Sequence, residues 1–265
     1  MFNLIKAQQY RTLRDYTTYI IIIVGAAIYC FATMLTLSDS SSDSTGAGNF
    51  FLMAASAQSG VGNLLLMGLT AVICGSDMLD RTMNFELLDG AKRSRVFFSR
   101  FILSLCWGLV VIYAIVLLPV LFISLTSGWG NVITAAGFAK RMVMLLFPYV
   151  RMIALYTALT FILGDYRAVV AIGFIICEFE LVADMMLQEI AKLPPYVRAL
   201  FSVTSVNVLL DVDNMGFDYV DAKDISVVKD TLTLSDNIIC AVVCVVFTVL
   251  LLALGLGVFK KKDLK

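Results

Sequence analysis

The run Ile238-Ile-Cys-Ala-Val-Val-Cys-Val-Val-Phe-Thr-Val-Leu-Leu-Leu-Ala-Leu-Gly-Leu-Gly-Val-Phe259 holds no charged residue and is followed at once by Lys260, Lys261 and Lys262. A helix needs roughly 20 apolar residues to cross a hydrocarbon core about 30 Å thick. The run therefore reads as a membrane-spanning helix stopped by a basic cluster. Five earlier stretches meet the same test: Thr17–Leu37, Phe50–Cys74, Phe101–Leu125, Met142–Leu163 and Ala168–Leu187. The expected fold is an all-α integral membrane protein, a single transmembrane domain over residues 1–265 with six spans.

Composition agrees with this reading. Of 265 residues, 60% are hydrophobic and only 15% charged, with a mean hydropathy of +0.90. Soluble domains run nearer 45–50% apolar and about 25% charged. A core of this size could not hide the excess without leaving large apolar patches. A soluble enzyme or a nucleic-acid binder is thereby excluded. Twenty Lys and Arg balance twenty Asp and Glu, so net charge points to no polyanionic partner. Histidine is absent, and with it the commonest metal ligand and general base. The six cysteines all lie in apolar runs and read as small buried hydrophobes, not as a disulfide framework or a zinc site.

Between the spans lie a polar loop at Ser38–Asn49, a charged segment at Gly75–Arg100, a Gly-Trp-Gly turn at Gly128–Gly130, a tight turn at Gly164–Arg167 and a long connection at Gln188–Asn237. Lys and Arg set the orientation. With the N-terminus inside, the cytoplasmic side collects Lys6, Arg11, Arg14, Arg81, Lys92, Arg93, Arg95, Arg100, Arg167, Lys260, Lys261, Lys262 and Lys265, thirteen of the twenty. Six fall outside (Lys140, Arg141, Lys192, Arg198, Lys223 and Lys229), and Arg151 lies within a span. Both termini are expected in the cytoplasm. The first span is longer than a signal-peptide apolar region and lacks a small-residue cleavage site, so it reads as a retained anchor. Ahead of it, Phe2, Leu4, Ile5, Leu13 and Tyr16 interleave with Lys6, Arg11 and Arg14. That mix fits a short interfacial helix facing anionic headgroups, or an unstructured basic tail.

After the second span, Ser76 or Asp77 can cap a helix that Gly90 ends. Leu79, Met83 and Leu87 form one apolar stripe, while Asp77, Asp80 and Glu86 stay on the wet side. Such a helix either rests on the membrane surface or inserts into a partner's groove.

Asp80-Arg81-Thr82, Phe85-Glu86-Leu87-Leu88, Gly90 and Arg95 together resemble the permease subunits of type-2 ABC transporters. Leu193-Pro194-Pro195-Tyr196-Val197 with Leu200-Phe201-Ser202 is similar to that family's re-entrant outer segment before the sixth span. Phe259-Lys-Lys-Lys-Asp263 is similar to its ending. No proline stands near Ser205–Val206, where the family often has one. The resemblance implies a bacterial plasma-membrane exporter subunit, working as a dimer with itself or a related permease above two copies of an ATP-binding subunit. It makes Met83, Phe85, Glu86 and Leu87 the docking residues of an ATPase-coupling helix. It also implies an amphipathic cargo such as a peptide, bacteriocin, antimicrobial peptide or drug. Independently, the chain has no G-x-x-x-x-G-K-[ST] loop, so ATP hydrolysis, if the chain depends on it, must occur on another polypeptide; the resemblance implies no cofactor in this chain and puts ATP and Mg on the partner subunit.

Ionisable residues inside spans are costly and default to functional hypotheses. Arg151 sits in the fourth span and Glu178, Glu180 and Asp184 in the fifth; across the expected hairpin Arg151 lies at the depth of Glu178 to Glu180. An Arg151–carboxylate pair would offset the desolvation of each. It would either hold the hairpin, with a spare carboxylate reaching water, or line a path or a permease–permease interface. The second span is rich in small residues, with Gln58 and Asn63 as its amides, which suits close helix packing within the chain or between subunits. An intramembrane enzyme fits poorly. Without histidine no Ser–His dyad exists, and Glu180 and Asp184 share one helix where aspartyl sites join separate elements. A non-transporting membrane sensor or assembly factor remains the alternative.

Overall fold

The computed structural model describes residues 2–38, 46–48, 50–51, 54, 58–79, 82–88, 90–130, 133–186, 197, 200–202, 204–210 and 234–262. Among these there is no strand. The elements are α1 (Phe2–Thr12), α2 (Tyr16–Ser38), a π-helical turn (Gln58–Gly62) running into α3 (Asn63–Leu79), α4 (Thr82–Leu88), α5 (Arg93–Ser127), α6 (Ala135–Leu163), α7 (Tyr166–Met186), α8 (Thr204–Leu210) and α9 (Leu234–Lys261).

Contacts fix the helix directions. Arg93 at the start of α5 binds the Phe259 and Lys260 carbonyls at the end of α9, at 2.9 and 3.1 Å. Lys262 donates to the Ile162 carbonyl at the end of α6, at 2.8 Å. Arg11 in α1 forms an ion pair with Asp77 near the end of α3. Both chain termini, α1 and α4 thus share one end of the bundle, the terminal end. At the distal end the Ala47 and Gly48 amides donate to the Gly128 and Trp129 carbonyls, at 3.1 and 2.9 Å. Helices α2, α3, α5, α6, α7 and α9 accordingly alternate up and down.

Four of them are long and apolar enough to cross a membrane: Gly60–Met78, Arg93–Ser127, Ala135–Leu163 and Ser235–Lys261. The α1–α2 pair makes a fifth if it is taken as one span bent by 64°. Helix α7 is not among them. It is 21 residues long, and Glu178, Glu180 and Asp184 crowd its second half. The architecture is that of an all-α multi-pass membrane protein.

Helices α3 and α6 form the centre, with Leu66, Met67, Leu69, Leu145, Met152 and Ile153 all nearly inaccessible. Helix α9 packs along most of α6, where Gly255 brings its backbone against Ala158. The outward faces are also apolar: Ile23 and Phe31 of α2, Leu118 and Phe122 of α5, and Val249 and Leu254 of α9 are all well exposed. Apolar residues inside and out make sense only where the surrounding solvent is itself apolar. Cys74, Cys177, Cys240 and Cys244 are buried as expected, whereas Cys30 and Cys106 lie on outward faces.

The sequence places helix boundaries at the edges of apolar runs, and the structure moves several of them. Helix α3 continues through Gly75, Ser76 and Asp77 to Leu79, so neither Ser76 nor Asp77 caps a new helix. Gly75 is there for packing: a Cβ on it would sit 2.8 Å from the Tyr166 Cβ. The short helix begins only at Thr82. The N-terminal segment is a helix, as the amphipathic reading expects, and it packs against α5. Asp15 accepts the Thr17 amide at 2.9 Å and caps α2. Most of the Gln188–Asn237 connection, including Leu193–Tyr196, lies outside the described residues. Its short helix α8 is buried against α6 and α9, and its last four residues, Leu234 to Asn237, begin α9.

Candidate functional site

The densest charge cluster lies at the terminal end, around Arg100. This side chain comes from the second turn of α5 and is fully buried. Its Nη2 lies 2.7 Å from Asp77 Oδ2 and donates to Glu86 Oε2 at 3.1 Å. Its Nη1 donates to the Cys74 carbonyl at 3.3 Å. Asp77 is also ion-paired with Arg11, which is partly exposed. Charges of alternating sign therefore run from α1 (Arg11) through α3 (Asp77) and α5 (Arg100) to α4 (Glu86). The middle of the chain is dry and both ends reach solvent. A buried cation between two carboxylates is tolerable because each partner offsets the other's desolvation.

Helix α4 is seated by this cluster and by apolar packing. Met83 is 1% exposed and joins Cys74, Val96, Phe97, Phe161 and Phe259 in one buried group, with Leu87 packed against its rim. Gly90, at φ +86, ends the helix. Its amide donates to the Leu87 carbonyl and that of Ala91 to the Glu86 carbonyl, at 3.1 and 3.2 Å, the double bond of a Schellman cap. Of the four expected docking residues, Met83 thus faces the chain's own core, Glu86 binds Arg100 and Leu87 is half-buried. The Phe85 side chain lies outside the described residues. Leu88, at 81% exposed, is the large apolar side chain that α4 presents outward.

A second clasp sits beside it. Arg93 Nη1 gathers the Phe259, Lys260 and Lys262 carbonyls, the last at 2.6 Å, and its guanidinium lies 5.8 Å from the Phe259 ring centre. Lys262 reaches across to the end of α6. Burial there pulls its ammonium below the ordinary lysine range.

Deeper in the bundle, Arg151 is buried and donates to the Leu200 carbonyl ahead of α8. Its guanidinium stacks 4.5 Å from the Phe247 ring centre. The Cys244 thiol is within hydrogen-bonding reach, and Glu180 acts on the cation electrostatically. Glu178 points outward and is exposed, while the Asp184 side chain lies outside the described residues. Among the described carboxylate side chains, Glu180 is the one that acts on the Arg151 charge. The sequence reads Cys244 only as a small buried hydrophobe, and the structure also sets it beside this cation. Nothing in α9's own sequence announces a cation arriving from α6.

Asn63 is the third polar centre. Its Oδ1 accepts the Tyr156 hydroxyl at 2.5 Å and its Nδ2 donates to Cys177 Sγ at 3.0 Å, joining α3, α6 and α7. The sequence reading missed Arg11, Asp77 and Arg100 as a connected set, and Arg93 as the clasp on the end of α9. All stand at the edges of apolar runs, where a charge reads as a solvated flank.

The chain matches no family model and no curated protein.

Proposed function

We propose that this chain is the transmembrane permease subunit of an ABC exporter, moving an amphipathic substrate such as a peptide, bacteriocin or drug at the expense of ATP hydrolysed on a separate subunit. The observation that carries the reading is α4. It is a separate short helix between two long ones, held at the end of the bundle where both termini lie, with a capped C-terminus and an exposed Leu88. The segment that resembles the type-2 permeases, Asp80–Arg95, is the one that builds it.

In this reading the terminal end is cytoplasmic, all six long helices cross the bacterial plasma membrane, and two permeases stand above two ATPase copies. Six helices enclose no wide path, and a two-fold dimer is the ordinary solution. Phe85 and Leu88 are then the anchors in the ATPase groove, while Met83 and Glu86 hold the helix to its own chain. Aromatic anchors commonly cost about 2 kcal/mol or more on truncation, roughly thirtyfold in binding. Phe85→Ala with Leu88→Ala should leave membrane insertion and melting temperature intact while the ATPase subunit is lost on affinity purification. Undiminished recovery of the ATPase with that variant would sink the docking assignment and leave a membrane sensor or assembly factor as the better reading.

A further inference from the structure

Where α1, the start of α2 and the last turns of α3 converge, a cavity of about 20 Å³ opens among Gln8, Arg11, Asp15, Thr18, Ser76 and Asp77. Gln8 is 6% and Thr18 1% exposed. Gln8 Oε1, Gln8 Nε2 and Thr18 Oγ1 have no hydrogen-bond partner among the described residues. The charged groups nearby are already engaged. Asp77 is held by Arg11 and Arg100, and Asp15 accepts the Thr17 amide. What remains is a buried carboxamide with both its donor and its acceptor unmet, beside an unmet hydroxyl. Buried polar groups in folded proteins are overwhelmingly paired, with protein or with ordered water.

We propose that this cavity is a water-binding site that seats α1 on the α2–α3 pair. Size and chemistry choose the ligand. One water needs roughly 10–15 Å³ measured in this way, so the cavity holds one and excludes anything much larger. A metal cation would suit Gln8 Oε1 and Thr18 Oγ1 but would face Gln8 Nε2 and the Arg11 guanidinium. An anion would suit those donors but would face Asp15 and Asp77. Water alone both donates and accepts. It gives a hydrogen to Gln8 Oε1, takes one from Gln8 Nε2 and has a further bond to make with Thr18. The N-terminal helix is thus fastened by the Arg11–Asp77 ion pair, by its packing against α5 and by a solvent bridge beside them.

The sign of a near-isosteric substitution tests this. Thr18→Val keeps the shape and removes the hydroxyl. With water bound, the variant strands one bond of an immobilised water, and the melting temperature of the purified protein in detergent falls by roughly 2–4 °C. In a dry cavity the same change deletes an unmet buried hydroxyl, so an unchanged or raised melting temperature overturns the proposal. Gln8→Met should behave in the same direction. Replacing sodium by choline at constant ionic strength should leave the wild-type melting temperature unchanged, and a sodium-specific rise would reassign the site to a cation. Should either variant fail to fold, a map of the wild-type protein in a nanodisc, at a resolution that shows ordered water elsewhere, decides the matter. Density within hydrogen-bonding distance of Gln8 and Thr18 supports the site, and its absence there overturns it.

Discussion

Arg100 Nη2 lies 2.7 Å from Asp77 Oδ2, and neither side chain is more than 6% exposed. The two residues close off opposite ends of the charged segment between α3 and α5. Their pairing folds that segment back on itself, so α4 is delivered against Val96 and Phe97 and does not trail into solvent.

Breaking this pair should be expensive. Arg100→Met takes this cation from a buried Asp77, and removing one partner of a buried pair costs about 3–5 kcal/mol. The expected outcome is a sharp loss of folded, detergent-stable protein by fluorescence-detected gel filtration. Combining Arg100→Met with Asp77→Asn should recover a large part of it. A double variant no better than Arg100→Met alone would mean that the ion pair does not govern the stability of this end.

At Arg151 the test discriminates between two glutamates. Arg151→Met with Glu180→Gln should yield more folded protein than Arg151→Met alone, because the carboxylate that acts on the lost cation is neutralised. Glu178→Gln in the same background should give no rescue, since Glu178 is exposed. Rescue by Glu178→Gln and not by Glu180→Gln would reverse the assignment.

Tyr156→Phe removes the hydroxyl that Asn63 Oδ1 accepts at 2.5 Å, while ring packing is kept. An acceptor left unpaired in a core costs about 1–3 kcal/mol. The melting temperature should fall by several degrees with the bundle otherwise intact. No change would show that Asn63 finds another donor.

Orientation is tested by labelling. On a background without native cysteines, a cysteine in place of Asp221 should react with an impermeant maleimide in intact cells. One in place of Lys92, which is exposed at the terminal end, should react only after permeabilisation. Labelling of Lys92→Cys in intact cells would invert the cytoplasmic assignment.

The apolar runs of α5, α6 and α9 are legible because nothing but lipid or core tolerates them. Their ends are not legible, since helices do not stop where lipid stops. Helix α6 begins at Ala135, where the Thr134 hydroxyl accepts the Gly137 amide at 3.1 Å, although Lys140 and Arg141 dilute the hydropathy there. Helix α5 likewise begins at Arg93 and carries Arg95 and Arg100 inside it. The charge cluster escaped for the same reason. Hydropathy cannot tell a solvated flanking arginine from one that turns back to a carboxylate on the neighbouring helix. Arg151 was conspicuous because it interrupts an apolar run, yet its Leu200 and Cys244 contacts come from far along the chain and leave no local pattern.

Helix α5 has 35 residues, Arg93 to Ser127. At 1.5 Å per residue it is about 50 Å long, well beyond a hydrocarbon core of about 30 Å. A rod of that length pivoting at its middle, near the buried Gly108 and Val111, would act as a lever. Tilting it by about 5° would swing each tip by about 2 Å in opposite senses, by the geometry of a rod of that length. Arg100 attaches the arm at the terminal end to α4 through Glu86. Pro119, which cannot donate a backbone hydrogen bond, sits on the opposite arm. A push on α4 therefore meets a stiff arm first and a compliant one last, so displacement arriving at the far side would be taken up by bending at Pro119 before the Gly128–Gly130 turn had to move.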